Sequence, residues 1–269
     1  MFSGVSLTLN KGVTVNVTLI IPDDWFYVGT AKVVFSNGES FDAKAGVDVY
    51  SVKLTPAQIN DALTVKITDA EGKLLVAEKD VSVSAYKAKV EAAHESGKLN
   101  YSDKKYKALI DLLNAALTYS NAADGTLQGE LENTVESVEG SVTSTGALFN
   151  AYGAALKEQA SIKLSVDTAK IAGDYRLTVT LGSKTVVENE LLADYITAGN
   201  LIVINGLFPS NFDETINVTV SDGTANVATL FITFNTYLKD VYGKANSELK
   251  NLIVAAYNYG VAAEAYAGN

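Results

Sequence analysis

The residues best suited to contact a ligand lie in one short stretch, Pro22–Gly29, which contains three consecutive aromatic residues. Trp25 and Tyr27 offer flat ring faces on which an apolar surface of a ligand can stack. The carboxylates of Asp24 and its neighbour Asp23 could accept hydrogen bonds from hydroxyl groups, bind calcium, or simply be solvated. The stretch follows an alternating strand pattern, so it should be a loop at one end of a rigid scaffold, where binding residues are common. Alternatively, the two rings cover the end of that scaffold.

The residue types needed for most enzymatic and metal chemistry are missing. The sequence has no Cys, and its one histidine, His94, cannot form a multi-histidine zinc site. We expect His94 to be a solvated surface residue. No Gly-x-Ser-x-Gly turn and no glycine-rich phosphate loop occurs. An acidic run at Glu130, Glu132, Glu136 and Glu139 shows no pattern of a glycosidase pair, and we expect it to be solvated. The sequence therefore predicts a protein that is not an enzyme and has no cofactor, no catalytic residue and no metal site.

Charge and hydropathy exclude two classes of partner. The net charge is −10, and Arg176 is the single arginine. Clustered Lys and Arg that would bind nucleic acid or an anionic membrane surface are missing. No apolar run reaches the roughly 18–20 residues of a membrane span, so we expect no membrane insertion. The first residues lack the features of a signal peptide. Frequent Thr, Asn, Tyr and Val lead us to expect a piece of a longer secreted chain, located outside the cell or on a bacterial cell surface.

The chain repeats itself once. Leu54–Ile67 and Leu207–Val220 align without a gap, with a proline at the third position of each. Tyr86 and Asn114 in the first copy match Tyr237 and Asn258 in the second, and Gly4 matches Gly153. The two copies predict a lobe at 1–122 and a lobe at 149–269. The segment 123–148, rich in Gly, Ser, Thr and Glu, is predicted to be a connector.

Both copies indicate the same order of elements. Segments of period two predict strands, and a Thr-Pro-x-Gln capping box in the first copy predicts one helical turn between two of them. The predicted strands lie at 13–19, 31–35, 50–54, 63–67 and 81–83, and at 162–166, 175–181, 201–204, 216–220 and 227–234. The period then changes to 3.6, with one helix face at Tyr106, Leu109, Ile110, Leu113 and Leu117 and another at Leu249, Leu252, Ile253, Ala256 and Tyr257. We therefore predict an α+β, mainly β protein of two tandem homologous lobes, each a small antiparallel β-sandwich with a C-terminal helical hairpin.

Three tyrosines outside the aromatic stretch are further candidate ligand contacts. Tyr101 lies in an insertion that only the first copy carries, before its second helix. Tyr195 and Tyr242 have no clear counterpart in the first copy. Each of these three could instead fill a gap in the packing. Because Tyr86 and Tyr237 match between the copies, we expect these two to be part of the scaffold.

The two copies resemble modules of surface proteins from anaerobic gut bacteria. The resemblance rests on Gly-x-x-Leu strands at Gly4 and Gly153, the Leu-Thr-Pro turn at Leu54–Pro56, and the closing Asn-Tyr-Gly helix at Asn258–Gly260. The first copy departs from the pattern, with Asn114-Ala-Ala. A pair of such modules is similar to a starch-binding domain of the amylosome, or starch adherence system. The resemblance implies a non-catalytic carbohydrate-binding domain of a cell-surface complex. We also expect the protein to be a monomer.

This resemblance implies a polysaccharide ligand, starch or a maltooligosaccharide, and contacts with other proteins of the complex. A glucan offers C–H faces to aromatic rings and hydroxyls to carboxylates. The expected ligand contacts are therefore Trp25, Tyr27, Asp24, Tyr101, Tyr195 and Tyr242, in a groove at or between the lobes. The alternative is a structural spacer or protein-binding adhesion module that has no glycan ligand.

Overall fold

The structure, a computed structural model, describes residues 1–9, 11–27 and 29–269. The chain is α+β and mainly β, with antiparallel sheets and four α-helices in these residues, as the sequence predicts. It divides into two compact units. Unit 1 contains Met1–Asn121 and Ala265–Asn269, and unit 2 contains Ala122–Glu264.

Unit 1 contains two antiparallel sheets, followed by two helices. Its strands are β1 (Phe2–Thr8), β2 (Thr14–Ile21), β3 (Lys32–Phe35), β4 (Ser40–Asp42), β5 (Gly46–Lys53), β6 (Leu63–Thr68) and β7 (Leu74–Val81). One sheet has the order β1-β2-β5 and the other the order β4-β3-β6-β7. The helices are α1 (Val83–Glu95) and α2 (Asp103–Asp124). The alternation in β2 places Val15, Val17 and Leu19 in the core, while the residues between them are partly exposed.

The predicted helical turn lies between β5 and β6. It is a 3-10 turn at Pro56–Gln58, and the Gln58 side chain accepts a hydrogen bond from the Thr55 backbone N–H at 3.0 Å. The second residue after the turn contacts α2, because the backbone N–H of Asn60 donates to the Ser120 hydroxyl at 3.0 Å. The turn therefore ties the sheets of unit 1 to its second helix.

Unit 2 contains a three-stranded and a five-stranded antiparallel sheet. Its strands are β8 (Thr143–Thr145), β9 (Phe149–Ala155), β10 (Ser161–Val166), β11 (Arg176–Leu181), β12 (Lys184–Leu191), β13 (Leu201–Ile204), β14 (Ile216–Ser221) and β15 (Asn226–Ile232). The sheet orders are β13-β10-β9 and β12-β11-β14-β15-β8. Helices α3 (Phe234–Tyr242) and α4 (Ser247–Ala267) follow.

Two predicted strands extend into the start of the helix that follows, and the one expected at 81–83 is also displaced, since β7 spans Leu74–Val81 and shares only Val81 with it. The strand expected at 81–83 ends at Val81, because Ser82 caps α1 and its hydroxyl accepts from the Ala85 N–H at 3.1 Å. The strand expected at 227–234 ends at Ile232, because Thr233 caps α3 and accepts from the Thr236 N–H at 2.9 Å. A Ser or Thr at this position satisfies a free N–H of the first helical turn and so starts the helix.

Helix α4 is buried on more sides than the predicted single face. Leu252 to Ala256 are all buried, whereas Leu249, expected on the buried face, is exposed. The extra cover comes from the segment predicted as a connector. The Asn251 side chain donates to the Gly129 carbonyl at 2.8 Å and accepts from the Leu131 N–H at 2.9 Å. In addition, β8 pairs with β15, so part of 123–148 belongs to the packed structure of unit 2.

Candidate functional site

The aromatic stretch is a loop between β2 and β3 of unit 1, built from two successive turns. The Trp25 N–H donates to the Pro22 carbonyl at 3.1 Å, which closes the first turn. The Tyr27 carbonyl accepts from the Thr30 N–H at 3.1 Å and closes the second. Gly29 has a φ of +89°, which glycine adopts without the steric cost that a side chain brings. The loop is thus held by backbone hydrogen bonds. Val28 lies outside the described residues.

Three neighbouring rings of this loop differ sharply in exposure. Phe26 is 89% exposed, whereas Trp25 and Tyr27 are half-buried. Tyr27 lies between the other two, with ring centroids 5.6 Å from Trp25 and 5.3 Å from Phe26. The ring planes meet at 66° and 88°. The loop therefore presents rings inclined to one another rather than one flat platform.

Trp25 also packs against the scaffold, as the alternative interpretation of the sequence expects. With six other apolar residues, its indole lines a cavity of about 170 Å³ at this end of unit 1. Two of the lining residues, Ile21 and Ile67, belong to the buried core. Part of the indole is therefore committed to the scaffold, and only the remainder faces solvent.

The carboxylates of the loop are open to a ligand. Asp23 and Asp24 are both exposed. Among the described residues, no group of three or more His, Asp or Glu side chains comes together as a metal site. The acidic residues Glu130, Glu132, Glu136 and Glu139 in unit 2 are exposed, which confirms that this run is solvated.

Tyr101 lies between α1 and α2 in a different part of unit 1. Its ring is 40% exposed and the Lys105 ammonium lies 5.4 Å from its centroid, a cation–π contact. Burial raises the pKa of the nearby Tyr86 hydroxyl, and the Tyr101 phenol raises it further. Tyr101 thus belongs to a cluster of side chains around the helices.

The remaining two candidate tyrosines lie in unit 2. Tyr195 is half-buried and ends the 3-10 turn Leu192–Tyr195. Tyr242 is half-buried at the end of α3, and the Lys250 ammonium lies 5.2 Å from its ring centroid. Of the six predicted contact residues, the loop brings together Trp25, Tyr27 and Asp24.

Sequence reasoning missed two features of unit 1. Phe26 is the most exposed ring of the loop, yet Trp25 and Tyr27 were the predicted contacts. No signal in the sequence separates the three rings, because their directions depend on the turn that the Trp25 N–H closes on the Pro22 carbonyl, and consecutive residues in a turn project in different directions. His94 is not a solvated surface residue. It is half-buried and stacks on Tyr106, with ring centroids 3.6 Å apart and planes inclined by 12°.

Within the described parts of the chain, none of the helices has both the length and the apolar character needed to cross a bilayer. Comparison with models of known protein families and with curated protein sequences finds no match for this chain. The functional argument therefore rests on the loop at Pro22–Gly29.

Proposed function

We propose that this protein is a non-catalytic carbohydrate-binding domain of a secreted or cell-surface bacterial protein, and that its ligand is an α-1,4-glucan such as starch. The observation that carries the proposal is the exposure of Phe26 in a loop fixed by backbone hydrogen bonds. An apolar ring in water is unfavourable for the free protein, but it is useful when a sugar face covers it. The exposed carboxylate of Asp24, close by in sequence, can accept sugar hydroxyl groups.

The inclination of the rings favours a curved glycan over a flat one. A flat ribbon such as a β-1,4-glucan presents coplanar sugar faces, so several coplanar rings would be needed to stack along it. Phe26 and Tyr27 meet at 88°, and Trp25 and Tyr27 at 66°. A helically curved α-1,4-glucan turns its successive sugar faces, so inclined rings can contact neighbouring units of the same chain.

The expected affinity is low. A fully buried aromatic side chain removes about 150–250 Å² from water, and half of that at about 25 cal/mol per Å² gives about 2–3 kcal/mol. Millimolar binding requires about 4 kcal/mol. Phe26 therefore needs help from the exposed parts of Trp25 and Tyr27 and from hydrogen bonds. Attachment to a starch granule would then depend on several such sites acting together.

The proposal includes a duplicated architecture of two homologous lobes, each with a β-sandwich and a helical pair. Support comes from the strand orders, since β1-β2-β5 has the same pattern as β9-β10-β13, and β4-β3-β6-β7 the same as β12-β11-β14-β15. A proline-led 3-10 turn lies at the same point in each, at Pro56 and Pro209. The aromatic loop has no equivalent in the second copy, where the corresponding residues are Asp167–Gly173. Two similar scaffolds should need similar residues for packing. Because the aromatic rings occur in only one of the two copies, packing alone does not account for them, and a ligand role is favoured.

Affinity gel electrophoresis in amylopectin tests the proposal. The wild-type protein should be retarded relative to a gel without polysaccharide. Phe26→Ala should weaken binding about 5- to 30-fold, the equivalent of about 1–2 kcal/mol for one stacked ring. Phe231→Ala is the matched control, since it removes an exposed phenylalanine from β15 and should leave retardation unchanged. Phe26→Ala should keep the stability of the wild type within about 0.5 kcal/mol, because its ring is 89% exposed. The Phe231 ring is 43% exposed, so Phe231→Ala should lose more stability, and far-UV circular dichroism checks that it is folded.

The outcome also separates the two functional classes. No retardation in amylopectin, together with unchanged fluorescence of the single tryptophan, Trp25, on adding maltooligosaccharides, would favour a spacer or adhesion module. Equal retardation of wild type and Phe26→Ala would show that any glycan site lies elsewhere.

A further inference from the structure

The chain contains two Asn-Gly dipeptides, and the structure holds them differently. Asn37-Gly38 lies in the turn between β3 and β4, and Asn205-Gly206 follows β13. Both asparagine side chains are exposed, and a Cβ atom added to either glycine would meet nothing within 4 Å. Both dipeptides therefore have room to react, and the hydrogen bonds of each one decide whether it does.

An asparagine that precedes glycine can lose its side-chain amide without an enzyme. The backbone nitrogen of the glycine attacks Cγ of the asparagine, and the bond between that nitrogen and Cγ forms. The bond from Cγ to Nδ2 breaks, and the amide nitrogen takes up the proton of the glycine N–H and leaves as ammonia. Water then opens the resulting succinimide ring at either carbonyl, which gives aspartate or, with the chain continuing through Cγ, isoaspartate. Glycine favours the attack because it has no Cβ atom to hinder the nitrogen.

The turn at Asn37 engages both of the groups that would react. The Gly38 N–H donates to the Phe35 carbonyl at 3.0 Å. The side-chain oxygen of Asn37 accepts from the Glu39 N–H at 3.2 Å. The attacking nitrogen is thus already hydrogen-bonded, and the side chain is held in one orientation. Because this arrangement must be given up before the ring can close, the turn should slow the reaction at Asn37.

The dipeptide in unit 2 has neither of these constraints. Among the residues that the structure describes, the Gly206 N–H donates to no protein acceptor and the Asn205 side chain has no hydrogen-bond partner. Gly206 has a φ of +90°, so the chain leaves the strand direction here. Solvent therefore has access to both reacting groups while the unit stays folded.

We propose that Asn205 is a site of spontaneous modification in the folded protein, where its amide is converted to aspartate and isoaspartate, and that Asn37 is protected from this reaction. The conversion consumes one water molecule and releases ammonia, so it requires no enzyme and no cofactor. Two ordinary hydrogen bonds distinguish the dipeptides. Asn205 should therefore react about 5- to 30-fold faster than Asn37 in the folded protein.

The position of Asn205 gives the modification a structural consequence. Isoaspartate lengthens the backbone by one carbon atom between β13 and the 3-10 turn at Pro209–Asn211. The Asn211 side chain connects these segments, since it donates to the Gly206 carbonyl at 3.4 Å and accepts from the Phe208 N–H at 2.7 Å. A longer backbone shifts the groups that Asn211 binds, so isoaspartate should lower the Tm of unit 2. Aspartate only adds a negative charge at an exposed position.

Incubation in a mildly alkaline buffer tests the proposal, with the unfolded chain as the reference. Cleavage after glutamate places the two sites in separate peptides, residues 1–39 and 191–214. Mass spectrometry with electron-transfer fragmentation locates the new acid and distinguishes isoaspartate from aspartate. In urea, both sites should react at similar rates, because the turn that protects Asn37 is lost. In the folded protein, Asn205 should react about 5- to 30-fold faster than Asn37.

Asn205→Gln is the matched control. It keeps a neutral amide at the same position, but the longer side chain would have to close a larger ring, so no acid should form there. The Tm of the wild type should fall during incubation as isoaspartate accumulates, while that of a folded Asn205→Gln should stay constant. The proposal is overturned if Asn205 in the folded protein keeps its amide over the time in which it reacts in urea, or if Asn37 reacts as fast as Asn205. These wild-type rates decide even if Asn205→Gln does not fold.

Discussion

Replacing Gly260 by alanine should destabilise unit 2, although alanine is the better helix former. Gly260 lies in α4, where a Cβ atom would be 2.9 Å from Cδ2 of Phe212 and 3.4 Å from the Pro209 carbonyl oxygen. Phe212 is buried, and its ring centroid is 4.2 Å from that of Phe234, so the ring has no room to move away. The helix can approach the 3-10 turn at Pro209–Asn211 this closely because it has no side chain at that point.

Two opposing effects decide the magnitude. Alanine favours the helix over glycine by about 1 kcal/mol. Overpacking a buried contact typically costs about 1–3 kcal/mol. The free energy of unfolding should therefore fall by about 1 kcal/mol, within a range of about 0–2. A loss of this size lowers the Tm of a unit of this length by about 2–4 °C.

Differential scanning calorimetry of the variants provides the assay. Gly243→Ala is the matched control, since Gly243 has a helical φ of −63° and no atom within 4 Å of its added Cβ. Its Tm should stay unchanged or rise, because alanine restricts the unfolded chain. Phe212→Leu in the Gly260→Ala background should recover part of the loss by making room for the Cβ. The close-approach argument is refuted if Gly260→Ala is as stable as Gly243→Ala.

Two further predictions concern packing and titration. Leu112 is fully buried in α2, so Leu112→Ala should lower the free energy of unfolding in urea by about 2–5 kcal/mol. Leu249 is 38% exposed, so Leu249→Ala should lose less, about 1 kcal/mol, and equal losses would contradict the assigned core. The pKa of Asp222 should lie below its usual range, because the Ala225 N–H and then the Thr224 hydroxyl donate to its carboxylate. The stabilisation is present above pH 3.8 and is lost as the pH falls through the lowered folded-state pKa. Thr224→Val should raise this pKa in an NMR titration, and an unchanged value would contradict the assignment.

Strand positions could be predicted from the sequence because burial on one face imposes a period of two. Strand β13 lies at the predicted residues, and β6 and β14 each extend only one residue further. Failures occur where an element is short or lies at an edge. Strands β4 and β12 have mostly exposed side chains, so no apolar alternation identifies them. Ser82 and Thr233 are residue types that commonly cap a helix, so the sequence carries a signal for both helix starts. Each follows directly on the apolar residues of a strand, and the alternation of that strand led to a strand prediction that extends past the cap.

The sequence predicts which loop forms the candidate site, but it does not predict which of the aromatic rings in that loop is exposed to solvent. An aromatic stretch in only one of two repeated segments identifies the loop. The share of each ring that faces solvent depends on the turn hydrogen bonds at Pro22 and Tyr27, which composition does not specify. Trp25 covers an apolar cavity whose walls include Ile67 of β6 and Leu75 and Val76 of β7, and contacts at that sequence distance leave no local pattern. The burial of His94 against Tyr106 escaped prediction for the same reason.

The packing of Gly129 and Leu131 against Asn251 restricts how this protein can change during evolution. A free joining segment can gain or lose residues at little cost, since the ends of a flexible loop need only reach each other. Here a deletion of one residue would shift the backbone groups that Asn251 binds and the three residues of β8 that pair with β15. Insertions and deletions among descendants of this protein should therefore be concentrated at Gly125–Gln128, just before the first of these contacts. Substitutions, which leave the chain length unchanged, should not be confined to that stretch.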